Sequence, residues 1–279
     1  MGLLTINLSA LKKNYETLKT LTDGDSDVGA VVKANGYGLD SLKVAQALYQ
    51  AGCRSFFIAK AHEVVALQSL PDDVRIIVLN GYDPIAASLY AQHEMIPVLG
   101  SLYELESYKA QTGLTNKPCF IKLCTQMNRA GMDREEWESI LADPSMLDGL
   151  KLQGLMAHFA CADELGHTLN EEQFALFSNV TKSFDAQYEW LTHSMANSSA
   201  MFRDKKYHFD LTRPGMALYG LNPTPEQTNP MQGVVDLKLQ VIRTRLIQKG
   251  EITGYGATYR FEKEAPVALL SAGDRKSGG

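Results

Sequence analysis

Two segments of the 279-residue chain place reactive side chains beside glycine. In Ala30-Val31-Val32-Lys33-Ala34-Asn35-Gly36-Tyr37-Gly38 a lysine closes an apolar run, and a tyrosine follows in a glycine-rich turn. Partial desolvation at a strand end lowers an amine's pKa and makes it a better nucleophile toward an aldehyde. The same position also suits a lysine whose stem lies on the strand while its charge reaches water. The Tyr37 hydroxyl can reach a phosphate or simply pack on the surface. In Ala196-Asn197-Ser198-Ser199-Ala200 a serine N-cap and unpaired amides at a helix start offer an anion site as well as an ordinary cap. Arg213-Pro214-Gly215-Met216-Ala217 puts a glycine where backbone can approach a ligand closely. His158 can stack on a planar ring or sit as a satisfied core histidine; His62, His93, His167, His193 and His208 read as structural or solvated.

A barrel would bring these residues together. Short apolar runs at Val28–Val32, Phe56–Ala59, Arg75–Leu79, Ile96–Leu99, Cys119–Leu123, Leu152–His158, Trp190–Ser194 and His208–Thr212 read as eight strands. Helical periodicity lies between most of them, as in Leu42, Ala45, Gln46 and Tyr49, or Phe174, Phe177, Val180 and Phe184. Eight βα units predict a (β/α)8 TIM-type barrel, in which chemistry sits at the carboxyl ends of the strands and phosphate often binds after strands seven and eight. By that rule Lys33 closes the first strand and Asn128 and Arg129 follow the fifth. His158 ends the sixth, Asn197 and Ser198 follow the seventh, and Arg213 and Gly215 follow the eighth. An open doubly wound sheet competes, but it usually has fewer strands and a GxGxxG first turn, which Lys33–Gly38 is not. After Pro225 the alternating run Val234–Ile247 has no helix signal behind it and starts a β-rich segment. The expected layout is therefore a barrel over 1–225 and the beginning of an incomplete β-rich domain over 226–279.

Composition narrows the function. An apolar fraction of 45% and a charged fraction of 21% fit a folded globular enzyme. The net charge of −5 is interspersed, with no basic stripe for a nucleic-acid backbone. No window holds the roughly 18 apolar residues of a membrane span, and the amino terminus has no leader pattern, so a cytoplasmic location is expected. Gly2 is followed at position six by Ile6, which defeats a myristoylation signal. Cys53, Cys119, Cys124 and Cys161 are scattered without metal-ligand spacing and read as reduced, mostly buried thiols; no metal is expected.

Taken in order, AVVKANGYG (30–38), MNRAGM (127–132), HFACAD (158–163), ANSSA (196–200), RPGMALYGLNP (213–223) and GYGATY (254–259) resemble alanine racemase, a fold-type III enzyme that uses pyridoxal 5′-phosphate (PLP). The resemblance implies interconversion of L- and D-alanine, supply of D-alanine for peptidoglycan, and a homodimer. It implies that Lys33 is the Schiff-base lysine and one catalytic base. Tyr255 would be the other base, acting on the opposite face from the partner subunit. Tyr37, Ser198, Gly215 and Met216 match phosphate-binding positions, with Asn197 beside them. Arg213 matches the arginine on the pyridine nitrogen, His158 the histidine beside the ring, and Arg129 the residue near the substrate carboxylate. Lys122, seven residues before Arg129, matches a lysine that is often carbamylated and orients that arginine. Two departures stand out. Cys124-Thr125-Gln126 replaces the family's Asp-Thr-Gly, which alters the packing expected beneath Arg129. Where family members continue after Gly273 into a Gly-Tyr-x-Asp-Gly turn, the chain reads Asp274-Arg275-Lys276-Ser277-Gly278-Gly279, so a C-terminally truncated domain with impaired racemisation is expected. A racemase of broader amino-acid specificity, a non-catalytic single-barrel PLP protein and an inactive remnant are the alternatives.

Overall fold

The computed structural model describes residues 2–111 and 116–272. From the amino end, β1 (Leu3–Ile6) leads into the helix Leu8–Leu21, whose Leu11, Tyr15 and Leu18 are buried at helical spacing. The barrel strands follow: β2 (Asp27–Val28), β3 (Ala30–Val31), β4 (Ser55–Ile58), β5 (Arg75–Val78), β6 (Met95–Leu99), β7 (Lys117–Lys122), β8 (Leu150–Met156), β9 (Thr192–Ser194) and β10 (Leu211–Thr212). Strands β3 to β9 pair in sequence order, and the described pairs are parallel. Pairing of β10 with β2 closes the ring, and the Asp210 and Arg213 amides donate to the His193 and Ala196 carbonyls across from β9 to β10. The sheet therefore has the eight strand positions expected of a (β/α)8 barrel.

The run expected as one strand over Val28–Val32 is two strands because it changes partner at Gly29. Val28 pairs with β10 and Ala30 with β4, while the Gly29 amide donates to the Thr212 carbonyl at 3.0 Å. A Cβ at Gly29 would lie 2.6 Å from the Phe57 ring, so glycine is required there for space. Other ends are shorter than expected. Trp190 lies in an exposed turn at φ +63° before β9, where its β-propensity is overridden by the need to reverse the chain. His208 ends the 3-10 turn Lys205–Tyr207, and His158 lies just past the end of β8.

Inside the ring, Val31, Phe57, Ile77, Ile96, Val98, Phe120, Met156 and Leu211 form one buried cluster, so the barrel is a packed core rather than a pore. Each large apolar side chain contributes about 1.5–3 kcal/mol by leaving water. The outer helices add their apolar faces, as Phe177, Val180 and Phe184 do from Thr168–Asp185.

By contacts the chain divides into Leu8–Val234 and a second unit containing residues 2–7 and 235–272, whereas the sequence places a single boundary after Pro225. In that second unit β1 pairs antiparallel with β11 (Val235–Lys238). The alternating run breaks before β12 (Val241–Ile247); β13 (Ile252–Thr253) pairs with β14 (Tyr259–Arg260), and β12 with β15 (Ala265–Leu270). The expected departure from the family turn after Gly273 lies outside the described residues.

Gly154 marks the tightest approach in the barrel: a Cβ there would stand 1.9 Å from the Thr192 carbonyl oxygen and 2.7 Å from the Phe120 ring. Gly154→Ala is expected to destabilise the protein by about 2–3 kcal/mol by forcing β8 and β9 apart. A denaturant midpoint unchanged from wild type would show that the sheet relaxes freely there.

Candidate active site

Strand β3 delivers Lys33 into an unusual turn. Ala34, Asn35, Gly36 and Tyr37 have φ of +52°, +56°, +63° and +55°, a left-handed turn in which three of the four residues carry a Cβ. Left-handed geometry costs L-residues roughly 1–2 kcal/mol each, so neighbouring groups must hold it. The Gly36 amide donates to Val32 O and the Gly38 amide to Ala34 O, both at 2.9 Å. Asn35 Oδ1 accepts from the Ser41 amide at 3.0 Å. The Glu63 carboxylate accepts from the Ala34 amide at 3.0 Å and the Ala59 amide at 2.7 Å. Lys33 is half-buried at the start of this turn, and Tyr37 projects from its end.

Tyr37 rests on Tyr219, with ring centroids 4.5 Å apart, and Tyr219 is fixed by its hydroxyl donating to Val31 O. Burial raises the pKa of both phenols, so both are hydroxyl donors near neutrality. Beside them Ser198 Oγ accepts from the Gly215 amide at 2.9 Å and the Ala217 amide at 3.2 Å. With its acceptor positions filled, the Ser198 hydroxyl keeps only its hydrogen to offer, which suits an anion. A Cβ on Gly215 would come within 2.5 Å of the Tyr37 oxygen, so a side chain there would fill this small cradle. The expected serine cap is corrected: Asn197 Oδ1 accepts from the Ala200 amide, while Ser199 makes no side-chain cap bond and Ser198 is turned toward Gly215.

Arg213 is buried, at 5% exposure, and donates to Ser194 Oγ, Ala157 O, Met195 O and His158 Nδ1. Among the described residues no carboxylate pairs with it. Burial lowers its pKa, but a guanidinium starts high enough to keep its proton. Because arginine only donates, His158 Nδ1 must accept, which leaves the hydrogen of the neutral ring on Nε2. Burial first, and then the charges of Arg213, Arg129, Lys122 and Lys33, push the His158 pKa down to about 3. Burial, with Arg213 and Arg129 adding repulsion, brings Lys122 down to about 8.

Arg129 is exposed on a loop closed at its neck by Cys124 N to Met132 O at 2.8 Å and Met132 N to Lys122 O at 2.7 Å. Where the family has Asp-Thr-Gly, Cys124 donates to Asn128 Oδ1, and Gln126 takes the left-handed φ of +72°. Thr125 is buried beneath, held by Gln173. That fully buried amide donates to Thr125 O, Thr125 Oγ1 and His158 O and accepts from the Ala160 amide, tying the loops after β7 and β8 together.

These groups surround one cleft of about 670 Å³, lined among others by Lys33, Tyr37, Lys122, Arg129, His158, Asn197, Ser198, Arg213, Gly215 and Met216. The barrel residues singled out from the sequence are thus brought together, except Asn128, which does not line the cleft and instead accepts from Cys124. Tyr255 belongs to the other unit, in the turn Tyr255–Ala257, and is fully exposed. Sequence reasoning missed Asn80, Asp163, Glu63 and Gln173. Asn80 follows the end of β5 by the same strand-end rule, and Asp163 lies in HFACAD. Glu63 and Gln173 act from flanking helical segments and leave no local signal. Among the described residues no group of side chains has metal-ligating geometry, and no helix is long and apolar enough to cross a membrane.

Residues 6–223 match the sequence profile of the family described as alanine racemase, N-terminal domain. The chain is 39% identical over 271 residues to an alanine racemase of Acidiphilium cryptum, spanning 97% of this chain and 74% of that one. It is 40% identical over 278 residues to a catabolic alanine racemase of Mesorhizobium japonicum, spanning 98% and 71%. Among solved structures, an alanine racemase from Bartonella henselae with covalently bound pyridoxal phosphate superposes with a TM-score of 0.88 at 34% identity, covering 98% of this chain and 75% of that one.

Both depressed pKa values give pH predictions. His158 should stay neutral between pH 5 and 8, so its ring resonances should not titrate there; a midpoint near 6.5 would contradict the Arg213 contact. Lys122 binds its proton more weakly folded than unfolded, so its cost to stability is full below pH 8 and disappears as pH rises toward 10.5. Lys122→Met should therefore stabilise the cofactor-free protein by about 1–3 kcal/mol at pH 7, with the gain shrinking above pH 8. A gain that is constant with pH would rule out this origin.

Proposed function

The chain belongs to the alanine racemase family, and from that membership we propose that it uses PLP to interconvert L- and D-alanine. The observation that carries this reading is the convergence of an amine, an anion cradle and a cluster of cations on one barrel mouth. The residues fit the cofactor. The space over Gly215, with hydroxyls of Ser198 and Tyr37 beside it, suits a phosphate; Met216 and Asn197 line the same end. Lys33 is the amine placed to hold the aldehyde carbon covalently, and Arg213 and His158 lie where a pyridine ring would be contacted. When bound, PLP supplies the electron sink that acidifies the amino acid's Cα–H bond.

The chain's own groups do the rest. Arg213 keeps its proton, so it would donate to the pyridine nitrogen without protonating it, and this limits charge delocalisation and side reactions. Neutral His158 would lie beside the ring without adding charge. Arg129, exposed on its loop, would pair with the substrate carboxylate, and Lys122 stands next to the loop neck that carries it. With a pKa near 8, Lys122 has an appreciable neutral fraction, the form that can take up carbon dioxide as a carbamate and then hold Arg129 by charge. Racemisation requires proton exchange on both faces of Cα. Lys33 serves one face and Tyr255 the other.

Tyr255 is fully exposed, and a base that works on a desolvated carbon has to be covered, which supports a homodimer in which a second copy provides the cover. The cysteines Cys53, Cys119, Cys124 and Cys161 are free thiols, in keeping with the reducing cytoplasm. Because the two enantiomers have equal free energy, the same chemistry serves supply of D-alanine for peptidoglycan or its breakdown, and the relatives include catabolic forms.

In deuterated water with PLP, the α-hydrogen of at least one alanine enantiomer should exchange with solvent, and Lys33→Ala should abolish that exchange. Tyr255→Phe should cut racemisation by about 100-fold or more while exchange of one enantiomer persists. No exchange with either enantiomer, or exchange unaffected by Lys33→Ala, would overturn the reading.

A further inference from the structure

Glu63 touches none of the groups assigned to cofactor or substrate, yet both of its oxygens are committed at the most strained point of the site. The regular ladder between β3 and β4 ends with the Val32 amide donating to Phe57 O at 2.9 Å. Beyond it the two chains part: one enters the left-handed turn through Lys33, and the other leaves the barrel after Ile58. Ala34 and Ala59 are residues just past this fork, and their amides face the same carboxylate, at 3.0 and 2.7 Å. Glu63 thus takes the place of a missing rung. The requirement is specific. Two N–H donors converge on separate oxygens, and a carboxylate meets both without presenting a hydrogen of its own.

We infer that Glu63 is the positioning residue for Lys33. By clamping Ala34 to the end of β4 it fixes the left-handed turn that presents the Lys33 amine and the Tyr37 hydroxyl to the same ligand. The inference rests on the reading of Lys33 as the cofactor's anchor. Lys33 and Tyr37 hold opposite ends of one molecule, so their separation has to be set before binding. The hydrogen bonds from Gly36, Gly38 and Ser41 are internal to the turn and its following helix. Glu63 ties the turn to the barrel wall. A glutamine there presents one oxygen and one NH2 group, and the NH2 would face an amide hydrogen. An aspartate is one methylene shorter and can serve only one of the two donors.

Glu136 supplies a matched control. Its carboxylate also accepts from two backbone amides, Leu102 at 2.9 Å and Asp133 at 3.0 Å, in a part of the barrel that does not carry Lys33. Wild type, Glu63→Gln, Glu63→Asp and Glu136→Gln would each be loaded with PLP. Three readouts are followed: the rate at which the visible band of the lysine-bound cofactor is lost on dilution, the pH at which that band titrates, and the melting temperature without cofactor. Glu63→Gln should release the cofactor at least about tenfold faster and shift the titration of the band, with Glu63→Asp intermediate. Glu136→Gln should lower the melting temperature to a similar degree and leave release and titration at wild-type values. If Glu63→Gln changes only the melting temperature, or if both glutamine variants speed release equally, Glu63 is structural and the inference fails. If wild type shows no lysine-bound band, the reading of Lys33 has failed, and this inference falls with it.

Discussion

A guanidinium sealed inside the barrel, with no carboxylate paired to it among the described residues, is the constraint on which the site depends. Taking an unpaired cation out of water costs several kcal/mol even after relaxation. Arg213 recovers part of that from the serine hydroxyl, two carbonyls and ring nitrogen that the ends of β8 and β9 present to it. Those acceptors neutralise none of the charge. Burial first and the remaining field second act on its neighbours: both keep His158 neutral and weaken the hold of Lys122 on its proton, and the Ser198 hydroxyl hydrogen faces the same cleft. An anionic ligand would complete this arrangement electrostatically.

Much of this was legible in the sequence because two simple periodicities govern a barrel. Apolar runs spaced by amphipathic helices located each strand to within a few residues, and the rule that chemistry follows the strand ends then selected Lys33, Arg129, His158, Ser198 and Arg213. What was not legible depends on contacts made far along the chain. Strand β1 pairs with β11 across more than two hundred residues, so nothing local in Leu3–Ile6 marks it as part of the second unit. The change of partner at Gly29 is dictated by the Phe57 ring, and the capping role of Asn197 by where Ser198 is drawn. The turn after Lys33 was visible through Gly36 and Gly38, but its left-handed course through Ala34 and Asn35 was not, because those residues do not choose it on their own.

The barrel and its ligand site therefore divide the work between rigidity and charge. Glu63 and Gln173, buried or half-buried in flanking helical segments, hold the loops at fixed spacing through backbone contacts. Lys33, Lys122, Arg129 and Arg213 put positive charge along the cleft. Tyr255, proposed as the second base, belongs to a separate unit from Lys33.

Lys33, at the rim of this cationic cleft, is proposed as the residue that holds the cofactor. Borohydride reduction of the PLP-loaded protein, followed by proteolysis and mass mapping, tests it most directly. The phosphopyridoxyl group should be found on the peptide containing Lys33, and finding it on Lys60 or Lys122 instead would rule out Lys33 as the anchor.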